Sequence, residues 1–165
     1  MKPRFGWAPW RRDTRLSDLL HPDYPDDIQA LLHDGGPLFR TAAPELVWVR
    51  LTDRVDDGIY RGTLLNQPFG LTNRQQGDTI HVAVADGAHR LVYISDRYLY
   101  ERYAWSVDPC HQCGLSVLFD APSDLLAATF AKVPADLAMV EFTATCPLCG
   151  GKQFVRSASW PAFSA

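Results

Sequence analysis

The chain of 165 residues is 47% hydrophobic, contains eight Phe, six Tyr and five Trp, and carries a formal net charge of −3. This composition excludes a wholly disordered chain, and the length suits one domain or a compact domain with a small additional lobe. No apolar run is long enough to span a membrane, and residues 1–10 lack the apolar core of a secretion signal, so we expect a cytoplasmic protein without membrane contact.

Residues 1–25 are predicted to form a basic and aromatic arm followed by an acidic linker. The arm interleaves cationic with aromatic side chains: Lys2, Arg4, Phe5, Trp7, Trp10, Arg11, Arg12 and Arg15. Such a segment is able to bind nucleic acid or an acidic partner, since it combines positive charge with stacking surfaces. The favoured interpretation is that its tryptophans anchor it on the protein body and that nearby aspartates, such as Asp23 and Asp26, pair with its cations.

Residues 26–104 are predicted to form a β-rich domain. Residues 26–33 fit a strand or a short helix, and alternating apolar residues predict strands over 45–52, 59–65, 79–85 and 90–94, with glycine turns between several of them. Gly62, inside one of these strands, predicts a bulge where the sheet coils. Ser95 is the predicted N-cap of a helix from Asp96 to about Ala104 that buries Leu99 and Tyr103.

Part of this domain resembles a known bacterial family. The segments Trp48-Val49-Arg50-Leu51-Thr52, Gly62-Thr63-Leu64-Leu65-Asn66-Gln67-Pro68, Gly77-Asp78-Thr79-Ile80 and Ile94-Ser95-Asp96 follow one another at similar spacing in the YegJ-like bacterial domain of unknown function. The resemblance covers about residues 46–96. It implies a bacterial source and a β-rich fold, it implies no activity, and it does not extend to the C-terminal half.

The C-terminal half contains the only four cysteines, in two Cys-x-x-Cys-Gly turns. We call these turns knuckle 1, Cys110–Gly114, and knuckle 2, Cys146–Gly150. Two residues between cysteines let a tight turn direct both sulfurs at one point, and glycine reaches the positive φ angles that such turns use. Cys110, Cys113, Cys146 and Cys149 are therefore the predicted ligands of one tetrahedral metal site.

Residues 105–157 are predicted to form a lobe around this site, with a tail at 158–165. Apolar residues alternate on both sides of each knuckle, so each knuckle is expected at the tip of a hairpin. This plan resembles that of zinc-ribbon domains over about residues 103–157. Between the knuckles, Ser123 is the predicted N-cap of an inserted helix, whose apolar stripe is Leu126, Thr129, Phe130 and Val133 and which Pro134 ends. The expected fold class is α+β, mainly β: a small coiled antiparallel sheet or half-open barrel with one or two short helices, plus this lobe.

Several interpretations of the cysteines remain open. A structural zinc is favoured, because closed four-cysteine sites leave no position for water or substrate. Iron is the alternative metal, since rubredoxins share this knuckle sequence, although Leu115 stands where they have an aromatic residue. A thiol redox switch is the third interpretation. His111 is expected at the surface or hydrogen-bonded to a sulfur rather than as a ligand.

The sequence contains no recognisable catalytic constellation. Its five histidines are dispersed, and no nucleophile elbow or phosphate-binding loop occurs. We therefore expect a non-catalytic, zinc-stabilised module that binds a protein partner. A nucleic-acid-binding zinc ribbon is a second hypothesis, favoured by the arm and disfavoured by the acidic net charge.

Overall fold

The computed structural model describes residues 8–87, 90–130 and 141–158. Contacts divide the chain into two compact units. The first comprises the chain up to Asp34 together with Ala42–Tyr93, and the second comprises Gly35–Thr41 together with the chain from Ile94 onward. The predicted domain boundaries, 26–104 for the β-rich domain and 105–157 for the cysteine lobe, stay predictions. Among the described residues, no helix has both the length and the apolar character needed to cross a membrane.

The first unit is built on a closed five-stranded barrel. Its strands follow in order around the barrel: β1 Asp27–Leu32, β2 Glu45–Asp56, β3 Ile59–Leu64, β4 Thr79–Ala85 and β5 Arg90–Ile94. The fold class, α+β and mainly β, is confirmed, and residues 26–33 form a strand. Inward-facing residues of alternating strand positions, including Ile28, Val49 and Val82, are fully buried in one core.

A parallel pair closes the barrel. Ala30 lies opposite Leu91 and Leu31 opposite Val92, which joins the first strand to the last. The sequence predicted an antiparallel sheet or a half-open barrel, and it carried no local sign of this pairing because the two strands lie some sixty residues apart. Closure leaves neither β1 nor β5 with an exposed edge.

Gly62 marks the place where the barrel coils. A Cβ atom there would lie 2.5 Å from Val49 Cγ1 and 2.7 Å from the Arg50 carbonyl oxygen, so only glycine lets the two strands approach so closely. The register irregularities lie on the partner strand, after Leu51 and again after Arg54. The predicted bulge therefore occurs beside Gly62 and on β2 rather than at Gly62 itself.

The described part of the arm packs on the barrel. Trp10 lies in a short 3-10 turn, Pro9–Arg12, and is buried, and its indole N–H donates to Asp26 Oδ1 at 2.9 Å. Arg11 pairs with the same carboxylate at 2.7 Å. These contacts agree with an arm that Trp10 anchors and whose cation Arg11 pairs with an aspartate of the same chain. Lys2, Arg4, Phe5 and Trp7 lie outside the described residues.

One carboxylate orders the long loop between β3 and β4. Glu45 accepts hydrogen bonds from the backbone N–H groups of Phe69, Gly70 and Leu71 at 2.7, 3.0 and 2.9 Å. Leu71 is buried in the barrel core, while the Phe69 side chain is 98% exposed. Glu45 thus holds the backbone of residues 69–71, and the Phe69 ring extends from it into solvent.

The second unit combines two short helices with a three-stranded sheet. Its elements are α1 Asp96–Glu101, a 3-10 turn Arg102–Ala104, β6 Trp105–Val107, α2 Pro122–Thr129, β7 Glu141–Thr145 and β8 Lys152–Ser157. The strand order is β6-β8-β7, with both neighbours antiparallel to the central β8. Phe142 and Val155 of the sheet pack with Leu125 of α2 in the core of this unit.

Both helices bury residues other than those predicted. Ser95 caps α1, accepting the Tyr98 N–H at 3.2 Å as expected. However, Tyr98 is the buried side chain, while Leu99 is only half-buried and Tyr103 is 71% exposed. The prediction of Leu99 and Tyr103 was wrong, because Tyr98 is the residue of α1 that faces the core, and Tyr103 lies in the 3-10 turn after the α-helix ends at Glu101, where the i, i+4 spacing no longer applies.

The N-cap of α2 was also misplaced. The helix begins with Pro122 after Ala121, and Ser123 lies inside its first turn, where its hydroxyl donates to Glu101 at 2.6 Å. Leu125 faces the core, Leu126 and Phe130 pack at its margin, and Thr129 is exposed. Val133 and Pro134 lie outside the described residues.

Candidate metal centre

Knuckle 2 sits at the tip of the β7–β8 hairpin, as predicted. The Cys146 N–H donates to the Gly151 carbonyl at 2.8 Å, and the Gly150 N–H donates back to the Cys146 carbonyl at 3.0 Å. Gly150 has a φ of 78°, which a residue with a side chain rarely adopts. The turn thereby directs Cys146 and Cys149 toward the same point.

Knuckle 1 follows β6 and has the same local build. Its Gly114 N–H donates to the Cys110 carbonyl at 2.9 Å, and Gly114 has a φ of 82°. No strand follows it: residues 115–121 are irregular, so the predicted second hairpin is wrong. The apolar residues Leu115 and Phe119 are buried as their pattern suggested, but β6 pairs with β8 instead of with this segment.

Gln153 replaces the missing hairpin partner. Its side chain is fully buried, and its amide nitrogen donates to the carbonyls of Leu115 at 3.0 Å and Val117 at 2.8 Å. The Leu115 carbonyl also accepts the N–H of Cys110. A side chain of β8 therefore fixes the exit of knuckle 1. The signal for this role was a glutamine at an inward-facing position, two residues before Val155, and the sequence interpretation missed it.

The structure brings the four predicted cysteines together. All four sulfurs lie within 4.8 Å of one another, with Cys110 and Cys146 buried and Cys113 and Cys149 half-buried. Across the knuckles, Cys110 Sγ lies 3.5 Å from Cys149 Sγ, and Cys113 Sγ lies 3.6 Å from Cys146 Sγ. These separations exceed a disulfide bond, and the thiols are free.

This donor set fits a tetrahedral metal ion. Four thiolates at a zinc–sulfur distance of about 2.3 Å would lie about 3.8 Å from one another in a regular tetrahedron. The two separations across the knuckles, 3.5 and 3.6 Å, lie close to that value, and all four sulfurs lie within 4.8 Å of one another. Four soft donors suit zinc and iron alike, so the geometry supports a metal site without selecting the metal.

Backbone N–H groups point at the sulfurs. Gln112 N–H donates to Cys110 Sγ and Gly151 N–H to Cys149 Sγ, both at 3.4 Å. Burial acts to raise the pKa of the Cys110 thiol, but the N–H groups of Cys113 and Gln112 and the neighbouring thiols outweigh it and lower the pKa to about 6. Burial raises the pKa of Cys146 to about 12. Without a metal, Cys110 therefore ionises more readily than Cys146. A bound cation would favour the ionised form of all four thiols.

His111 is exposed and lies outside the group of sulfurs. Its backbone N–H donates to the Lys152 carbonyl at 3.1 Å, and its Nδ1 accepts the Lys152 N–H at 3.0 Å. The expectation that it would lie at the surface holds, whereas its hydrogen bonds go to the backbone of β8. The ring thus ties knuckle 1 to the strand that leaves knuckle 2.

Among the described residues, no second group of three or more His, Cys, Asp or Glu side chains lies close enough to hold an ion. His21 packs against Trp48, with ring centroids 5.4 Å apart, and His33 is buried beside Tyr93. His89 lies outside the described residues.

No protein-family model matches this chain, and no curated protein or solved structure is significantly similar to it.

Proposed function

We propose that Cys110, Cys113, Cys146 and Cys149 bind one zinc ion that stabilises the second unit. The observation that supports this most directly is the group of four thiols within 4.8 Å, two from each knuckle. With four protein ligands the ion has no free position for water or substrate, so its role is structural.

Zinc is favoured over iron. Leu115, which follows knuckle 1, stands where rubredoxins have an aromatic residue, and its side chain is fully buried. An electron-transfer role for iron would also need a redox partner. Elemental analysis distinguishes the two metals directly, because an iron-loaded protein would contain iron at the same stoichiometry.

The metal is expected to contribute as much as the rest of the unit. Structural zinc in small peptides contributes about 10–16 kcal/mol at neutral pH, compared with about 5–15 kcal/mol of net stability for a whole domain. Besides the sulfurs, the described contacts between the two knuckle segments are the short β6–β8 pairing, the backbone bonds of Asp108 and His111 to β8, the Gln153 amide and the His111 ring. Removal of the metal should therefore unfold this sheet.

We infer that the protein is a non-catalytic binding module that acts on a protein partner. Its metal group is closed, and the histidines that the structure describes do not converge on a second site. Large apolar side chains are instead exposed, among them Phe69 at 98% and Tyr100 at 89%. Exposed aromatic residues of this kind are enriched at protein interfaces.

The test is to isolate binding partners with the zinc-loaded protein and to reconstitute each complex from purified components. We expect a stoichiometric complex that is weakened when Phe69 or Tyr100 is replaced by Ala, with no turnover in a broad hydrolase screen. Turnover that one cavity substitution abolishes, in the absence of any reconstituted complex, would overturn the proposal. A matched control is Tyr24→Ala, a substitution of another exposed aromatic residue, 60% accessible.

One observation favours nucleic acid as a second candidate. Phe154 is 43% exposed on central strand β8, and Lys152 and Arg156 flank it on the same face. Arg156, however, pairs with Asp108 at 3.1 Å and approaches Glu141 at 3.9 Å, which reduces the positive charge of this face. A salt titration with single-stranded DNA and RNA decides the matter, since phosphate contacts weaken steeply with salt and binding absent at low salt removes the candidate.

A further inference from the structure

The second unit contains a cavity of about 370 Å³ beside the hairpin that carries knuckle 2. Apolar side chains form most of its wall, including Leu118, Leu125 and Phe142. Asp120 is the one charged residue among the described residues that line it, and its Oδ2 already accepts the Gly36 N–H at 2.9 Å. The described lining thus carries one negative and no positive charge, which suits an apolar group that is accompanied by positive charge.

Four consecutive residues of β7, Phe142–Thr145, line this cavity. Phe142 and Ala144 face the core of the unit, whereas Thr143 and Thr145 face solvent on the opposite side of the sheet. A cavity that touches residues of both faces of a strand lies along the edge of that strand. β7 is the end strand of its sheet, with β8 on one side and no other described strand on its outer side.

The hydrogen-bond pattern shows which backbone groups point to that edge. Cys146 bonds across to Gly151, so the alternation of an antiparallel pair turns the N–H and C=O groups of Thr143 and Thr145 away from β8. Lys152, which lies opposite Thr145 on β8, supports this assignment. Its backbone N–H and C=O groups both bond to His111, on the side away from β7. The outer edge therefore offers alternating donors and acceptors beside an apolar cavity.

We propose that the outer edge of β7 binds an extended peptide segment of the partner protein, which adds a strand to the sheet and inserts an apolar side chain into the cavity. Its main chain pairs with Thr143 and Thr145, which is the β-augmentation mode of recognition. Asp120 at the wall of the cavity favours a segment in which apolar residues alternate with basic ones. This inference rests on the proposed binding function and adds the edge of β7 as a contact surface beside the exposed aromatic residues Phe69 and Tyr100.

The probes are three labelled heptapeptides in which Lys alternates with Val, Leu or Phe, tested against the zinc-loaded full chain by fluorescence anisotropy. At least one should bind, and a matching peptide with Glu in place of Lys should bind more weakly. Binding should protect the Thr143 and Thr145 amides from hydrogen exchange. If no lysine peptide binds, or if the glutamate series binds equally well, the proposal is wrong.

Backbone methylation of the peptide separates strand pairing from simple apolar binding. A bound strand pairs through the N–H groups of one edge only. We therefore compare two peptides, one methylated on the odd-numbered backbone nitrogens and one on the even-numbered nitrogens. One of them should bind at least about tenfold more weakly than the unmodified peptide, and the other only slightly more weakly. Equal affinity of both methylated peptides and the unmodified peptide would overturn the pairing.

Two pairs of variants test the surface from the protein side. Thr129, exposed at the end of α2, lines the cavity, so Thr129→Trp should block the peptide, whereas Ala128→Trp next to it should not. Thr143→Pro removes an outward N–H and Thr143→Val retains it, so only the proline variant should lose binding. Zinc content and thiol protection are measured for every variant. If Thr129→Trp carries its full zinc and binds the peptide as well as Ala128→Trp does, the proposal that this surface binds the peptide is wrong, while the proposed function stands.

Discussion

His33 gives the barrel a defined sensitivity to acid. The side chain is only 2% exposed, at the end of β1, and its Nε2 lies 2.8 Å from the Tyr93 carbonyl oxygen, which favours the neutral tautomer protonated at Nε2. Burial lowers its pKa from 6.5 to about 4, and the hydrogen bond to Tyr93 only partly opposes this. The folded barrel therefore holds a neutral imidazole where the unfolded chain would take up a proton.

The sign and size of the effect follow from this difference. Because the folded pKa is depressed, the stability is fully present above pH 6.5 and is lost as the pH falls toward 4. A difference of this size corresponds to a loss of about 1 kcal/mol at pH 6, about 2 at pH 5 and about 3 at pH 4. The last figure is a large part of the net stability of an ordinary domain.

The assay is urea unfolding at pH 8, 6, 5 and 4, compared between the wild type and His33→Gln. Glutamine does not titrate, and the cysteine group is identical in both proteins, so the acid response of a bound metal cancels in the difference. We expect the wild type to lose about 3 kcal/mol more than His33→Gln between pH 8 and pH 4. Parallel loss of stability in the two proteins would refute the reasoning.

Three further substitutions test contacts that shape the two units. Gly62→Ala should destabilise the barrel by about 2 kcal/mol or more in urea unfolding, because its Cβ would overlap β2, whereas Gly70→Ala, whose Cβ would lie in ordinary contact 3.9 Å from Glu45 Oε2, should change stability by less than about 0.5 kcal/mol. Glu45→Gln should weaken the grip on the β3–β4 loop and cost about 1–2 kcal/mol, read as faster hydrogen exchange of the Leu71 amide; unchanged exchange would contradict this. Gln153→Leu should release the exit of knuckle 1 and speed zinc transfer to a chelator, while Phe154→Ala, on the exposed face, should not.

The sequence predicted best those features that short segments determine. Each pair of cysteines is only three residues apart, so local turn geometry alone directs two sulfurs together, and the glycine that follows takes the positive φ that the turn requires. The same holds for Gly58 and Gly77: both have positive φ, and both lie in predicted turns that lead into the strands β3 and β4. The hairpin of knuckle 2 followed because its two strands are adjacent in sequence.

The features that the sequence did not predict depend on contacts between segments far apart in the chain. Leu115 and Phe119 are buried, as the alternation of apolar residues suggested. Alternation does not show whether a neighbouring strand exists, however, and here the buried side chain of Gln153 on β8 supplies the hydrogen bonds that a paired strand would have supplied. The parallel closure of the barrel and the burial of Tyr98 likewise depend on packing between segments that no local pattern connects. Metal identity and the resemblance to the YegJ-like family stay predictions.

The central claim is the closed zinc site, and metal content together with a thiol count tests it most directly. Purified protein is analysed for zinc and iron, and its reactive thiols are counted in denaturant before and after a chelator. We expect one zinc per chain and four thiols that become reactive once the metal is removed, with the metal lost in a Cys110→Ser, Cys149→Ser double variant. Absence of metal, or two disulfides in place of four thiols, would contradict the account and make thiol redox chemistry the leading explanation of these cysteines.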